Sequence, residues 1–287
     1  MSRVNQLKDT LFVGDRKGAD LYGRIFVVSA FGGITNLLLE HKKTGEPGVY
    51  AHLANASNDH GWHEALTRVS AEMQRVHREV LEHPGDIEQA DAFVSERTHG
   101  ARNCLIDLQR LCAYGHFRLS EHMLQIRELL SGLGEAHSAF VTTILLQRAG
   151  VNARFVDLSG WRDEGNVTLD ERIAQAMEGI DPHTEMPIVT GYAQCAEGLM
   201  REFDRGYSEV TFSHLAALTG AREAIIHKEF HLSSADPNLV GQDAVRKLGR
   251  TNYDVADQLS NMGMEAIHPK AAKTLRQADV PLRVTNA

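Results

Sequence analysis

A continuous apolar run near the amino end limits the fold more than any other part of the sequence. Within Arg24–Ala30, the residues Ile25–Val28 are all apolar, whereas a strand with one solvated face alternates apolar and polar residues. Such a run is typical of a strand that is covered on both faces. Gly32 and Gly33 follow it, and Thr35 is predicted to cap the next helix. The order of strand, glycine turn and helix favours a parallel α/β protein.

The remaining sequence alternates between helix and strand patterns. Apolar residues at intervals of three and four predict helices over Trp62–Leu81, Ala92–Ala113, Ser120–Leu130, Glu135–Ala149, Asp170–Glu178, Ser208–Leu218 and Thr251–Gly263, and a last helix from Pro269. Pro84 and Gly85 are expected to end the first of them. Short apolar runs predict strands over Ala153–Leu158, Pro187–Thr190, Ala224–His227 and Val280–Val284. The fold class is therefore α/β, a three-layer αβα sandwich with a mostly parallel central sheet and a helical excursion at about 62–113.

Charge, cysteine content and hydrophobicity indicate which partners and which cellular compartment to expect. The chain carries 30 Lys and Arg against 38 Asp and Glu, a net charge of −8, so we expect no nucleic-acid partner, which would require a basic surface. The three cysteines have no CxxC spacing, which favours a reducing compartment. No run approaches about 18 apolar residues and no signal peptide is recognisable, so we expect a cytoplasmic protein with no membrane partner.

Three loops that follow predicted strands carry polar groups suited to ligand binding. They are SAFGGITN after the first strand, TGYAQCAEGL after Val189 and HKEFHLSSADPN after Ile226. In parallel sheets these loops meet at one edge, where ligands bind. Ser29, Thr35 and Asn36 make the first loop a candidate anion site, although a tight turn with a capping threonine explains the same residues equally well.

Other candidate residues also have simple structural explanations. Arg205 beside Gly206 can bind a carboxylate through two parallel hydrogen bonds, or it can form a surface ion pair while Ser208 caps a helix. Glu135 at a predicted helix start is favoured by the helix dipole whatever its function. His227, Glu229 and His231 alternate as metal ligands on one strand could, but three ligands from one strand fit a closed site poorly. We therefore predict no metal site built from protein side chains.

Five segments together resemble the aspartokinases of the amino-acid kinase fold, which is also called the carbamate kinase-like fold. They occur in the family's order and spacing: VVSAFGGITNLLL at Val27–Leu39, GEAHSA at Gly134–Ala139, DRGYSE at Asp204–Glu209, SSADPN at Ser233–Asn238 and GMEAIHP at Gly263–Pro269. The helical excursion and the stretch HKEFHLSSADPN most resemble the aspartokinases encoded with ectoine biosynthesis.

The sequence departs from the family pattern at several positions. These are Tyr207 in place of a glycine, Glu209 in place of an aspartate, Glu265 in place of a lysine, and His227-Lys228 in place of Thr-Asp. The family's amino-terminal Lys-Phe/Ile-Gly-Gly-Thr-Ser motif and its regulatory ACT domains are not recognisable. We therefore expect one kinase domain over residues 1–287, truncated at both ends, with an aspartate-binding lobe at about 1–185 and a nucleotide-binding lobe at about 186–287.

The resemblance implies transfer of the γ-phosphoryl group of ATP, with Mg²⁺, to the side-chain carboxylate of L-aspartate. This reaction begins lysine, threonine, methionine or ectoine biosynthesis. The resemblance assigns catalytic roles to Arg205 and Glu209. It places the aspartate at Ser29, Gly32, Gly33, Thr35, Glu135 and Arg205, and the nucleotide at His227, Lys228, Ser233, Ser234 and Asp236. The expected partners are L-aspartate and MgATP, with a homodimer as the expected assembly.

Two alternatives stay open. One is a kinase for another small acid, such as glutamate or carbamate. The other is a catalytically silent homologue that binds aspartate or a partner chain, which the missing lysine motif favours.

Overall fold

The protein contains two parallel β-sheets that pack against helices. The computed structural model describes residues 3–55, 61–202, 206–228 and 267–286, together with residues 241, 252, 253 and 255. The strands are β1 (Phe26–Val28), β2 (Ala153–Val156), β3 (Met186–Thr190), β4 (Ala224–Lys228) and β5 (Leu282–Asn286). The α-helices are α1 (Arg3–Leu7), α2 (Ile34–Leu38), α3 (Val49–Ala54), α4 (Gly61–Val80), α5 (Pro84–Cys112), α6 (Met123–Arg148), α7 (Leu169–Met177), α8 (Leu199–Glu202), α9 (Tyr207–Leu218) and α10 (Pro269–Gln277). A π-helical turn spans Lys8–Phe12, and 3₁₀ turns span Gly18–Leu21 and Leu119–Glu121. The sequence patterns did not predict α1, α3, α8 or these turns.

The first sheet has the strand order β1-β3-β2, and all its strands are parallel. Phe26 of β1 lies opposite Ile188 of β3, and Ala153 of β2 lies opposite Met186. The predicted continuous apolar strands are confirmed, with β3 buried at all five residues. Although β3 begins at the predicted lobe boundary near residue 186, it is the central strand of this sheet. The division into two lobes stays a prediction.

Side chains on the two faces of the first sheet pack against different helices. Phe26 and Ile188 belong to a hydrophobic cluster with Leu146 of α6. Val27 and Val189 belong to the largest cluster, which includes Ile173 of α7 and Val210 of α9. Because successive residues of a strand point to opposite faces, α6 covers one face and α7 with α9 cover the other. This arrangement confirms the predicted α/β fold with helices on both faces of a parallel sheet.

Helix α6 is one continuous element, so the prediction of separate helices ending at Leu130 and starting at Glu135 is wrong. The interval contains Gly132 and Gly134, which sequence rules treat as helix-weakening. Here both lie inside the helix because neighbouring elements approach their backbone closely. A Cβ atom on Gly134 would lie 3.3 Å from the Ala30 Cβ, and one on Gly132 would lie 3.1 Å from the Ser159 Cβ.

Helix α6 is also the one helix in the described ranges whose length and composition would suffice to cross a membrane. However, 89% of its apolar window is buried inside the protein, as in the core helix of a globular fold.

The helical excursion is a pair of long helices, α4 and α5, that pack on each other. The predicted α4 is confirmed, but α5 begins at Pro84 rather than near Ala92, so Pro84 and Gly85 start a helix instead of only ending one. Proline suits the first helical position because its missing N–H has no partner there in any case. Arg97 of α5 lies against the Trp161 ring and forms an ion pair of 2.7 Å with Asp157, which follows β2. The excursion is thereby fixed to the carboxyl edge of the first sheet.

The second sheet pairs β4 with β5 in parallel and packs against α9 and α10. Ala216 of α9, Ala224 of β4 and Leu275 of α10 belong to one hydrophobic cluster. The predicted last helix is confirmed with Pro269 at its first position, and the last strand begins at Leu282 rather than Val280. The predicted helix Thr251–Gly263 lies largely outside the described residues.

Two glycines of α5 provide a matched test of how the excursion docks. A Cβ atom on Gly100 would lie 2.6 Å from the Trp161 ring, whereas one on Gly85 would meet nothing within 4 Å. We expect Gly100→Ala to lower the free energy of unfolding by about 1–3 kcal/mol through overpacking. Gly85→Ala should leave the free energy of unfolding unchanged or raise it by up to about 1 kcal/mol, because alanine is the better helix former. Urea unfolding followed by circular dichroism measures both, and a Gly100→Ala protein as stable as Gly85→Ala would contradict this packing.

Candidate active site

A chain of three side chains joins the ends of β1, α6 and α9. The exposed Ser29, directly after β1, donates a hydrogen bond of 3.1 Å from its hydroxyl to the Ser208 hydroxyl. Ser208, in the first turn of α9, donates one of 3.0 Å to Glu135 Oε1. Glu135 lies on α6 and is 2% exposed. A polar path therefore leads from the protein surface to a buried carboxylate.

The carboxylate of Glu135 is in an unusual state. Burial removes water from it and raises its pKa to about 8, while the hydrogen bond from Ser208 opposes this rise only in part. The Tyr207 hydroxyl and the Tyr192 backbone N–H also lie near this carboxylate and favour its charged form. Its second oxygen, Oε2, is buried and makes no hydrogen bond of normal geometry to the described residues. Glu135 lies in the middle of α6, so the predicted helix-start position and its dipole explanation are wrong. A buried acceptor without such a bond is a candidate for contact with a ligand.

Gly191, directly after β3, completes the site from the sheet side. Its N–H donates to the Val28 carbonyl at 3.0 Å. A Cβ atom at this position would lie 2.7 Å from Glu135 Oε2 and equally close to the Ser208 side chain. Only glycine lets the chain pass here. Sequence reasoning included Gly191 in a candidate loop but did not single it out, because glycine after a strand is common in any turn.

The glycine loop after β1 opens toward solvent. Gly33 has φ of 88° and is the residue that precedes α2, so the prediction that Thr35 caps this helix is wrong. Thr35 lies inside α2. Cβ atoms added at Gly32 or Gly33 would meet nothing within 4 Å, so there is free space beside the loop. The Ser138 hydroxyl of α6 donates to the Ser29 carbonyl at 2.7 Å and fixes the loop to the helix that carries Glu135.

A second polar cluster lies at the other side of the first turn of α9. Glu209 Oε1 is 3.1 Å from the ammonium nitrogen of Lys228, at the carboxyl end of β4. Glu209 Oε2 accepts a hydrogen bond of 2.5 Å from the backbone N–H of His268, which precedes α10. Gly206, with φ of 86°, lies against the His268 ring and precedes α9, so Ser208 does not cap this helix. Glu209 and Lys228, both predicted site residues, are thus in direct contact.

The remaining predicted residues fall into two groups. His227 is exposed, and its neighbour Lys228 points to the other face of β4, so the structure does not bring His227 into this cluster. Partial burial, with the charge of Arg283, lowers the pKa of His227. Arg205, Ser233, Ser234 and Asp236 lie outside the described residues. Glu229 and His231, two of the three residues considered as metal ligands, also lie outside the described residues. The described residues contain no group of three or more His, Cys, Asp or Glu side chains placed to hold a metal.

A buried histidine pair connects the site to the helical excursion. His77 Nε2 of α4 is 2.9 Å from His137 Nε2 of α6, and His77 Nδ1 is 2.6 Å from an oxygen of Asp91 on α5. The His137 ring meets Phe31 of the glycine loop edge to face at 5.2 Å. Burial lowers the pKa of His137 to about 3, so the ring is neutral. The sequence contains 15 histidines without a motif that marks this pair, so it was not predicted.

The sequence is similar to those of known proteins. Residues 13–286 match the model of the amino acid kinase family. The chain is 58% identical over all 287 residues to the aspartate kinase Ask_Ect of Stutzerimonas stutzeri (strain A1501), and it covers 60% of that protein. It is 25% identical over 283 residues to aspartokinase 2, chloroplastic, of Arabidopsis thaliana, covering 92% of this chain and 46% of the relative.

Solved structures share the fold. The E. coli aspartokinase III complex with aspartate and ADP (R-state) superimposes with a TM-score of 0.66 at 18% identity, over 98% of this chain and 58% of that one. Its complex with lysine and aspartate (T-state) gives 0.64 at 19% identity, over 99% and 58%. The chain thus spans about three fifths of the length of the Stutzerimonas relative and of these structures.

The raised pKa of Glu135 predicts a dependence of stability on pH. Between the ordinary glutamate value of 4.5 and about 8, the folded protein keeps a proton on Glu135 that the unfolded chain releases. The contribution of Glu135 to the free energy of unfolding is therefore complete below pH 4.5 and is lost as the pH rises through about 8. In Glu135→Gln the amide resembles the protonated acid at every pH. We expect the stability of the natural protein, relative to this variant, to fall by on the order of 1 kcal/mol per pH unit between pH 5 and 8.

Urea unfolding of both proteins at several pH values measures this difference, in which the titration of all other groups cancels. A difference that does not change with pH would contradict the burial of a titrating carboxylate at this position.

Proposed function

The chain belongs to the amino acid kinase family, and from that premise we propose that it is an aspartate kinase, which phosphorylates the side-chain carboxylate of L-aspartate with ATP. The observation that carries the proposal is the buried Glu135 carboxylate, linked through Ser208 to Ser29 beside an open glycine loop. These groups offer a negative site for an amino acid's ammonium and, close to it, space and donors for its reacting end.

Glu135 suits the ammonium group of the substrate. The Oε2 atom and the Ser208-bonded Oε1 atom together provide acceptors for an ammonium group, which has three N–H donors. A positive charge at this point also stabilises the ionised carboxylate that burial disfavours. Binding of the amino acid therefore converts Glu135 to its charged form and releases a proton below about pH 8.

The loop after β1 suits the reacting carboxylate. Ser29 supplies an exposed hydroxyl, and Gly32 and Gly33 leave the space beside their backbone open. An aspartate side chain with an ordinary pKa near about 3.9 is already ionised at neutral pH, so no general base is required. Catalysis then consists of positioning the carboxylate and neutralising charge on the phosphoryl group. Thr35 lies in the first turn of α2, directly after this loop, and is proposed to contact this end of the substrate.

The other assignments rest on the family motifs. We assign Arg205 to the substrate α-carboxylate, and Ser233, Ser234 and Asp236 to the nucleotide.

Mg²⁺ usually keeps several water ligands and is bound by substrate phosphates with one or two carboxylates. Glu209 supplies a carboxylate of this kind beside the site, where its two oxygens contact Lys228 and the His268 N–H. Bound Mg²⁺ would neutralise phosphate charge, with Glu209 as its protein contact.

Glu135→Gln tests the site directly. Loss of the negative charge should weaken aspartate binding by about 100-fold, since a hydrogen bond between charged groups contributes roughly 1.5–3 kcal/mol. Ser208→Ala should weaken it by only about tenfold. Glu88→Gln, an exposed change on α5, serves as the matched control and should bind normally. Isothermal titration calorimetry with aspartate measures affinity, and trapping of the acyl phosphate with hydroxylamine in the presence of MgATP measures turnover.

The outcome separates the functions considered for this chain. Acyl phosphate formed from aspartate supports an aspartate kinase, and formation from glutamate but not aspartate would assign another acid substrate. Aspartate binding without turnover would identify a binding protein.

Arg205→Lys tests the carboxylate contact. Lysine keeps the charge but cannot form two parallel hydrogen bonds. We expect calorimetry to show aspartate binding weakened by about 1.5–3 kcal/mol, the scale of a charged hydrogen bond. Unchanged affinity would remove Arg205 from the site.

A further inference from the structure

The first turn of α9 connects the two halves of the molecule. Ser208 bonds to Ser29 and Glu135, which belong to the first sheet and its covering helix. The next residue, Glu209, contacts Lys228 of the second sheet and His268 before α10. A group that moves between ligands held by the two halves must therefore pass beside this turn.

Lys228 brings a positive charge to this junction. Its ammonium nitrogen is 3.1 Å from Glu209 Oε1, and its side chain is 26% exposed, so solvent and ligands can reach it. Because Glu209 directly follows Ser208, the ammonium lies within about 12 Å of the Ser208 Cα even if the glutamate side chain is fully extended. Lys228 is the last residue of β4, and Ser29 directly follows β1, so each residue lies at the carboxyl end of a strand.

Glu209 is held from two sides and fixes the position of Lys228. One oxygen accepts from the His268 backbone and the other pairs with the lysine. A carboxylate fixed in this way limits the conformations of a long and flexible side chain before any ligand binds. Such preorganisation is what charge stabilisation in a transition state requires.

Among the described residues, Arg127 is a second cation near this turn, and its charge acts on Tyr207. It lies two turns before Glu135 on α6, forms an ion pair of 3.0 Å with Glu40, and stacks over the Tyr50 ring. Arg127 is therefore engaged with the segment after α2.

We propose that Lys228, positioned by Glu209, is the lysine that binds the phosphate groups of the nucleotide and stabilises the phosphoryl group during transfer. The proposal rests on the proposed kinase function. In this step an oxygen of the acceptor carboxylate forms a bond to the γ-phosphorus. The bond from that phosphorus to the β,γ-bridging oxygen breaks, and its electron pair stays on ADP. No proton moves, and Lys228 neutralises negative charge that collects on the bridging and γ-oxygens.

A purely structural ion pair is the competing explanation, and it makes a different prediction. A partly exposed pair that only joins β4 to α9 would affect all ligands alike through folding, or none. A phosphate-binding lysine affects only ligands that carry phosphate. The test therefore compares MgATP, MgADP and adenosine.

Calorimetry of the whole chain with these three ligands, together with the melting temperature, is measured for Lys228→Met and Lys228→Arg. Lys273→Met, an exposed change on α10, is the control. We expect Lys228→Met to weaken MgADP and MgATP binding by about 10- to 100-fold and to leave adenosine binding unchanged. Acyl phosphate formation should fall by about 100-fold or more. Lys228→Arg should recover part of the phosphate affinity because it keeps the charge, and Lys273→Met should behave as the natural protein.

Equal MgADP affinity in Lys228→Met and the natural protein would overturn the proposal. A Lys228→Met protein that loses adenosine and MgADP affinity equally and melts at a lower temperature would also overturn it. The same holds if the natural protein does not bind MgADP. If MgADP binds through Lys228 but aspartate is not phosphorylated, the aspartate kinase assignment fails while the role of Lys228 in phosphate binding is supported.

Discussion

A carboxylate buried in the middle of a long helix governs the arrangement of side chains and loops around it. Glu135 has lost contact with water, and its second oxygen makes no hydrogen bond of normal geometry to the described residues. Burying such a group costs free energy that other contacts must offset. The offset comes from close packing: Gly132 and Gly134 allow two loops to approach α6, and Gly191 allows β3 to end directly against the carboxylate. These glycines are less favourable than alanine as helix or strand residues, and their value lies in the approach that they permit.

The helical turn at Ser208 and Glu209 extends this arrangement to the second sheet. One residue of the turn bonds to the buried carboxylate and the next bonds to a lysine and a backbone N–H on the opposite side. Neighbouring positions on a helix project about 100° apart, so a single turn can contact two separate groups of residues. The buried carboxylate and the Glu209–Lys228 cluster are therefore joined by a single helical turn.

The helical excursion stabilises the same region from outside. Its helices contribute Arg97, which pairs with Asp157 at the sheet edge, and His77, which contacts His137 of α6 beside Phe31 of the glycine loop. The contacts of His77 with Asp91 and His137 give this network a defined geometry, which an apolar contact does not impose. Phe31 is thereby held against α6, and the loop backbone beside it, at Gly32 and Gly33, stays open to a ligand.

The fold class, most of the strands and helices, and the family could be predicted from the sequence, because continuous apolar runs, helical periodicity and ordered motifs are local signals that survive without tertiary contacts. Ser29, Glu135, Glu209 and Lys228 were predicted as site residues, and the structure brings them together around the first turn of α9. Only the tertiary structure decided that α6 passes unbroken through Gly132 and Gly134, that Glu135 lies within it and that Lys228 pairs with Glu209. Each of these depends on atoms distant in sequence: a helical glycine is unfavourable unless another element packs closely on it, and the pKa of Glu135 rises because the fold removes its water.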